Sequence, residues 1–323
     1  MNPFHPELAV VTGAGSGIGR GTAKALSARG AQVIVADINF ATAKDTVSLI
    51  RSHGGRATPY ALDVGDPLSL EAFAEYVRTT HGVPDVVVNN AGIVVGGPFF
   101  EIRPADLQRI VDVNLTAIVH GCKLFGAQMA ERGTGGQLVN ISSIAAFAAL
   151  RLGTPYCFTA AAVKHFSQTL RIEMATHGIG VTVACPGLIA TNLAATASLA
   201  TLSAEQVAIT RQMVVKGMTL LGMHPDKAGR KIVEAAAVNR EILPLRAESQ
   251  LAYRLTRAFP HLTRALMRTI SGPEVERAVR FAIDHPAVLG IAREAAELMP
   301  QRPGLQTYWE PPEYDDPPTP MRR

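Results

Sequence analysis

The stretch "VVTGAGSGIGRG", Val10 to Gly21, decides the reading of the fold. It starts with apolar residues that suit a buried strand, passes through glycines at 13, 15, 17 and 19, and enters a helical texture at Ile18. Glycine removes the Cβ atoms that would block a tight turn and a close approach of backbone to ligand. The helix that follows offers unpaired N–H groups to an anion such as a pyrophosphate. A glycine pattern alone is weak evidence, but the strand–turn–helix context makes it a dinucleotide-binding turn. Gly13, Ser16, Gly17, Ile18 and Gly19 are its expected cofactor-binding residues.

Working outward, Asp37 ends the next strand-like run, 18 residues after Gly19. A carboxylate there accepts hydrogen bonds from adenosine ribose hydroxyls and repels a 2′-phosphate, so NAD is expected in preference to NADP. Ser16 adds no positive charge. Arg20 is the nearby basic side chain and is expected on the helix surface.

The first 185 residues alternate strand-like and helix-like segments. Runs 8–13, 32–37, 57–63, 85–90, 136–142 and 180–187 are short, apolar and rich in valine and isoleucine, as strands buried on both faces are. Amphipathic stretches such as Ile18–Arg29 and Pro104–Arg132 lie between them. The alternation implies an α/β fold: a Rossmann-like, doubly wound parallel sheet of about seven strands with helices on both faces. "NREILPL" (239–245) reads as the last strand, at the sheet edge. A helical extension follows over 246–300, in which 248–270 carries an apolar face and arginines at 254, 257, 264 and 268, broken at Pro260. That segment reads either as a lid over the substrate mouth or as a basic amphipathic helix at a membrane surface. Residues 301–323 hold six prolines and four acids and read as an irregular tail.

Bulk properties narrow the classes. The chain has 323 residues, 47% hydrophobic and 18% charged, which suits a large core. A net charge of +4 from dispersed basic residues argues for a solvated surface and no nucleic-acid site. Three cysteines without CxxC spacing argue against a disulfide framework. No metal-ligand cluster is expected. With no secretory signal at the N-terminus and no apolar run of about 18 residues, a cytoplasmic protein is expected.

These residues carry a resemblance. Over about residues 7–245 the chain resembles the short-chain dehydrogenases/reductases. "TGAGSGIG" (12–19) is similar to that family's cofactor turn, and "DV" (63–64) to its adenine contact, which implies roles for Asp63 and Val64. "NNAG" (89–92) resembles the motif beside the cofactor, implying Asn90, Ala91 and Gly92. Asn114 in "VDVNLTA" matches the catalytic asparagine, whose main chain holds a water in the proton relay. "NISS" (140–143) resembles the serine motif. "CPGLIAT" (185–191) resembles the turn beside the nicotinamide, implying Pro186, Gly187, Ile189 and Thr191. Tyr156 lies 13 residues after Ser143, the separation usual in the family. The resemblance thus implies an NAD-dependent alcohol/carbonyl oxidoreductase in which Ser143 orients the substrate oxygen and Tyr156 exchanges a proton with it. It also implies a homodimer or homotetramer. Taken singly, Ser143 could cap a loop, Asn114 could mark a helix kink and Tyr156 could be an interface aromatic.

The pattern breaks in "YCFTAAAVK", Tyr156 to Lys164. The family places a lysine four residues after the tyrosine, and here Ala160 stands there, with Phe158 also large for its position. A lysine about 4 Å away would favour tyrosinate by up to roughly 4 kcal/mol, or about three pKa units, at an effective dielectric of about 20. Lys164 is one helical turn further on and could reach back only by leaning toward the helix N-terminus. Three explanations stay open: an engineered or impaired enzyme, a non-catalytic NAD-binding scaffold, or another proton relay. The segment Asn192 to His224 is expected to bind substrate and is rich in Ala, Leu, Thr and Met. With Phe147, Leu150, Leu152 and Phe158 it implies a small apolar alcohol or ketone.

Overall fold

The computed structural model describes residues 4–191 and 221–270, with a few positions between 192 and 220 and between 271 and 277. Nearly all of the expected helical extension beyond residue 270, the tail 301–323 and most of the substrate segment lie outside the described residues.

Seven strands form one sheet: β1 Leu8–Thr12, β2 Gln32–Asp37, β3 Arg56–Ala61, β4 Val86–Asn89, β5 Gly136–Ile141, β6 Ile179–Cys185 and β7 Ile242–Pro244. Their spatial order is β3-β2-β1-β4-β5-β6-β7, parallel throughout. The order reverses between β1 and β4, so a crevice opens at the carboxyl ends of those two strands, where ligands bind in open α/β sheets. Every residue of β1 and of β6 is buried. That explains why these runs are continuously apolar, without alternation.

Helices α1 Gly17–Ser27 and α7 Pro225–Ala237 cover one face. Leu26, Ile232 and Val233 pack there against Val11, Val33 and Val35. The two helices cross at glycines: a Cβ on Gly229 would lie 2.2 Å from Gly21 C. Lys24 Nζ pairs with Asp226 at 2.6 Å beside that crossing. Helices α2 Phe40–Ser52 and α3 Pro67–Thr80 begin on side-chain caps from Asn39 and Asp66.

The other face carries α3, α4 Pro104–Val111, a π-turn over Asp112–Thr116, α5 Ala117–Arg132 and α6 Thr154–Met174. Phe73, Phe125, Met129 and Leu138 meet there, all fully buried. Among the described residues, Pro104–Arg132 is the one helix long and apolar enough, by length and composition, to cross a membrane. Its apolar side is taken by the sheet. Beyond β7 the chain turns into α8 Ala247–Ala258 and α9 Pro260–Ile270, divided at Pro260. Proline cannot continue the α8 hydrogen-bond ladder but is well placed to start a new helix.

Candidate active site

The glycine turn joins β1 to α1 in the crevice. Gly13 and Gly17 adopt positive φ, 61° and 51°, where a Cβ is disfavoured. A Cβ on Gly13 would lie 2.8 Å from Ala91 Cα, and one on Gly19 would lie 2.2 Å from the Gly13 carbonyl oxygen. The Asn90 amide donates to the Thr12 and Gly13 carbonyls at 2.9 and 3.0 Å. Thr12 Oγ1 accepts from the Asn90 and Ala91 N–H groups at 3.0 and 3.2 Å. The "NNAG" segment thus props the turn from the next strand. Ser16 stands at the N-cap of α1 without a side-chain cap, and no acid occupies the first turn. Ile18 lies in that same turn, and Thr191 reaches it too: a Cβ on Gly17 would lie 3.1 Å from Thr191 Cγ2. A Cβ on Gly92 would touch Asn114 Oδ1 at 3.5 Å.

Asp37 faces the turn. Its carboxylate accepts from the N–H groups of Gly15 at 2.8 Å and Asn39 at 2.9 Å. Burial pushes its pKa up, while those two donors and the Arg20 charge pull it down. Arg20 corrects the expectation that it lies on the helix surface: it donates to the Gly15 carbonyl and to Thr46 Oγ1, the latter at 2.9 Å. The first turn of α1 leaves the Gly15 carbonyl open on the side facing α2, and a guanidinium can serve it and Thr46 together. A cation therefore stands beside the carboxylate. Asp63 holds the Gly65 N–H at 2.9 Å and pairs with Arg109 at 3.0 Å, with Val64 buried behind it.

The reacting side is built on β5, β6 and α6. The fully buried Asn140 on β5 accepts from Asn89 Nδ2 at 2.8 Å and donates to Ser167 Oγ at 3.0 Å, locking the strand to β4 and α6. Cys122 joins this network, and burial pushes its thiol up to about 12. Two residues past the strand, Ser143 Oγ accepts from the Ala145 N–H at 3.2 Å, which caps a short 3-10 turn. The same side chain is hydrogen-bonded to Tyr156. Ser143 and Tyr156 are thus in contact, and Ser143 does both jobs weighed for it: it caps a loop and meets the tyrosine.

Tyr156 sits in the first turn of α6, half-buried. Burial holds its hydroxyl above the ordinary tyrosine pKa, the Ser143 hydrogen bond pulls it down, and Cys157 pushes it up. Asn114 lies in the π-turn, where its amide clasps the Ile93 backbone, accepting from the N–H at 2.8 Å and donating to the carbonyl at 2.9 Å. A π-turn in mid-helix is a common mark of a functional position.

Ala160 is 6% exposed, and its carbonyl accepts from Ser142 Oγ at 2.8 Å. Lys164 Nζ lies over the Phe147 ring, 5.7 Å from the centroid. Its charge acts on Cys185, whose thiol burial pushes up to about 12 against the pull of Ser142 and Lys164. Of the expected apolar lining, Phe147 packs on Tyr253 with centroids 5.2 Å apart. Phe158 and Leu150 are 40% and 46% exposed, and Leu152 takes φ 62°.

The Pro186–Gly187 turn follows β6, and Pro186 O accepts from the Ile144 N–H at 2.8 Å, beside Ser143. Ile189 is buried and bridges to Met223. Residues not singled out from the sequence also touch this site. Arg109 holds Asp63, and Glu248 holds the Leu188 N–H at 2.8 Å. Glu248 carried a signal: it is the lone acid among five arginines between 242 and 273.

A family model described as short chain dehydrogenase matches residues 7–201. Among curated proteins, Probable oxidoreductase EphD of Mycobacterium tuberculosis is 43% identical over 267 residues, 82% of this chain and 45% of its own length. The chain therefore spans about half the length of that relative. Among solved structures, a short-chain dehydrogenase from Streptomyces avermitilis is 29% identical with a TM-score of 0.68, covering 84% of this chain and 98% of its own. A short chain dehydrogenase/reductase from Burkholderia phymatum in complex with NAD has a TM-score of 0.71 over 80% of this chain and 96% of its own. At 24% identity that likeness concerns the fold alone.

Proposed function

The chain belongs to the short-chain dehydrogenase family, and from that premise we propose that it is an NAD-dependent oxidoreductase interconverting an apolar alcohol and its carbonyl. The observation that carries the proposal is the Ser143–Tyr156 contact beside the Pro186–Gly187 turn. The residues fit a dinucleotide: the first turn of α1 is uncapped and free of acids, and the glycines leave room for close approach. Gly13, Ser16, Gly17, Ile18 and Gly19 would hold the pyrophosphate, Asp37 the adenosine ribose, and Asp63 and Val64 the adenine. Asn90, Ala91 and Gly92 would line the crevice. Pro186, Gly187, Ile189 and Thr191 would hold the nicotinamide.

A bound nicotinamide supplies the hydride acceptor or donor. Ser143 Oγ orients the substrate oxygen. The Tyr156 hydroxyl gives that oxygen a proton in reduction and takes one in oxidation. Asn114 holds a water through its main chain. NAD is preferred because the Asp37 carboxylate meets a 2′-phosphate with like charge. Arg20 softens that preference, since its charge bears on the same carboxylate. With Ala160 in the lysine's place, Tyr156 is protonated at neutral pH and serves reduction better than oxidation. Phe147 and Leu152 favour an apolar substrate, and pairing of α5 and α6 between copies would give a homodimer or homotetramer.

Ala160 also favours a second reading, a dinucleotide-binding scaffold without turnover. One experiment divides the two. The chain is titrated with NADH and NADPH by fluorescence, then assayed in both directions on a panel of apolar alcohols and ketones. NADH binding with ketone reduction supports the oxidoreductase. Binding without turnover supports the scaffold. Binding of neither dinucleotide contradicts both.

A further inference from the structure

The turn after β6 is gripped from outside the doubly wound unit. Residues at the start of α8 reach back to the point where Pro186, Gly187 and Leu188 leave the sheet. The fully buried Ser249 donates from Oγ to the Cys185 carbonyl at 2.7 Å. Glu248 Oε1 accepts from the Leu188 N–H at 2.8 Å, and Arg246 Nη1 donates to the Leu188 carbonyl at 2.8 Å. Glu248 and Arg246 pair with each other at 3.1 Å. One ion pair thus holds both backbone polar groups of a single residue.

Gly187 makes this possible. A Cβ there would lie 2.4 Å from Glu248 Oε1. One turn further along α8, Tyr253 packs on Phe147, the residue that ends the 3-10 turn capped by Ser143. The same helix therefore touches both loops that carry the reacting side. The Arg246 and Glu248 side chains are 31% and 39% exposed, so the ion pair itself is screened and adds little stability. What the pair does is geometric: charge-assisted bonds at both ends of Leu188 fix the rotation of the peptide groups that continue toward Ile189 and Thr191.

We infer that Arg246 and Glu248 are positioning residues for the nicotinamide turn, and that the helix beyond β7 is thereby part of the active site. The inference rests on the proposed function, which gives that turn to the nicotinamide. Neither residue touches the reacting atoms. They act through the Leu188 backbone, and loss of the clasp is expected to weaken cofactor binding while leaving the glycine turn as it is.

The test uses the full chain with Glu248→Ala, Glu248→Gln and Arg246→Ala. Amide hydrogen exchange is followed at Leu188–Thr191 and at the glycine turn, and NADH affinity is measured by fluorescence titration. In Glu248→Ala, exchange at Leu188 is expected to quicken by about tenfold to a hundredfold. NADH affinity is expected to fall by about tenfold, with exchange at Gly13–Gly19 unchanged. Glu248→Gln still offers an oxygen to the Leu188 N–H and is expected to recover most of both. Should Glu248→Ala quicken exchange throughout the chain, the near-isosteric Glu248→Gln and the Arg246→Ala variant carry the comparison. Unchanged exchange at Leu188, or quicker exchange with unchanged affinity, would overturn the inference. A parent chain that binds neither dinucleotide would instead remove the proposed function, while the exchange readout would still decide whether the pair holds the turn.

Discussion

The two halves of the crevice are held in different ways. On the β1–β4 side, the glycine turn is propped locally: the Thr12 and Asn90 side chains bond backbone groups within one pair of neighbouring strands. On the β5–β6 side the contacts come from far along the chain: Ser142 bonds the Ala160 carbonyl of α6, and Arg246, Glu248 and Ser249 at the start of α8 hold the backbone on either side of Pro186–Gly187. The first half tolerates little change in shape. The second carries Ala160 where the resemblance implies a lysine, and there the Ala160 carbonyl still accepts from Ser142. Variants of the glycine turn and of the clasp at Leu188 should therefore alter dinucleotide binding, and variants at Tyr156 should alter turnover.

The largest expected effect is on the second side. Tyr156→Phe removes the proton donor and keeps the ring, so kcat is expected to fall by about 10²- to 10⁴-fold with NADH affinity unchanged. Steady-state kinetics beside a fluorescence titration would show the split. Equal loss of both would erase the distinction between the halves.

Next comes Gly19→Ala. The new methyl group meets the Gly13 carbonyl at 2.2 Å, and the turn must open. Overpacking of this kind costs about 1–3 kcal/mol, so dinucleotide affinity should weaken by about tenfold to a hundredfold. Gly21→Ala, two residues on, strikes the α1–α7 crossing, where its Cβ would lie 2.4 Å from the Pro225 carbonyl oxygen. It is expected to lower the melting temperature more than the affinity. If the two variants behave alike, the turn and the crossing are one structural unit.

The smallest effect is expected from Arg109→Ala. The Asp63–Arg109 pair is more than a third exposed on both sides, so its loss should change stability by less than about 1 kcal/mol. A larger shift in NADH affinity would mean that Arg109 acts on the adenine side directly.

What the sequence made legible follows this division. The strand–turn–helix at Val10–Gly21 and the β-rich runs were readable because strand and turn signals are local, and the seven strands fall where those runs are. The Ser143–Tyr156 contact was readable through the family resemblance, whose usual separation of 13 residues this chain keeps. Three features were not. Arg20 turns inward because of Thr46, a partner 26 residues away. Gly21 and Gly229 meet across two hundred residues of chain. Glu248 reaches Leu188 over a separation of 60. No local pattern announces such a partner, since register and tertiary approach decide it. The break at Pro260 was legible, and the π-turn at Asn114 was foreshadowed only as a helix kink.

The proposed function makes Tyr156 a proton donor with alanine, not lysine, four residues on. Single-turnover hydride transfer in this chain and in Ala160→Lys, followed against pH in the direction of alcohol oxidation, tests it most directly. Burial holds the Tyr156 pKa above its ordinary value, so the oxidation rate of this chain should still be rising with pH above about 10. An ammonium at position 160 stabilises tyrosinate, so Ala160→Lys should move that limb down by as much as about three units and speed oxidation at neutral pH. Coincident pH profiles in the two chains, or a rise in this chain centred near neutrality, would contradict the account.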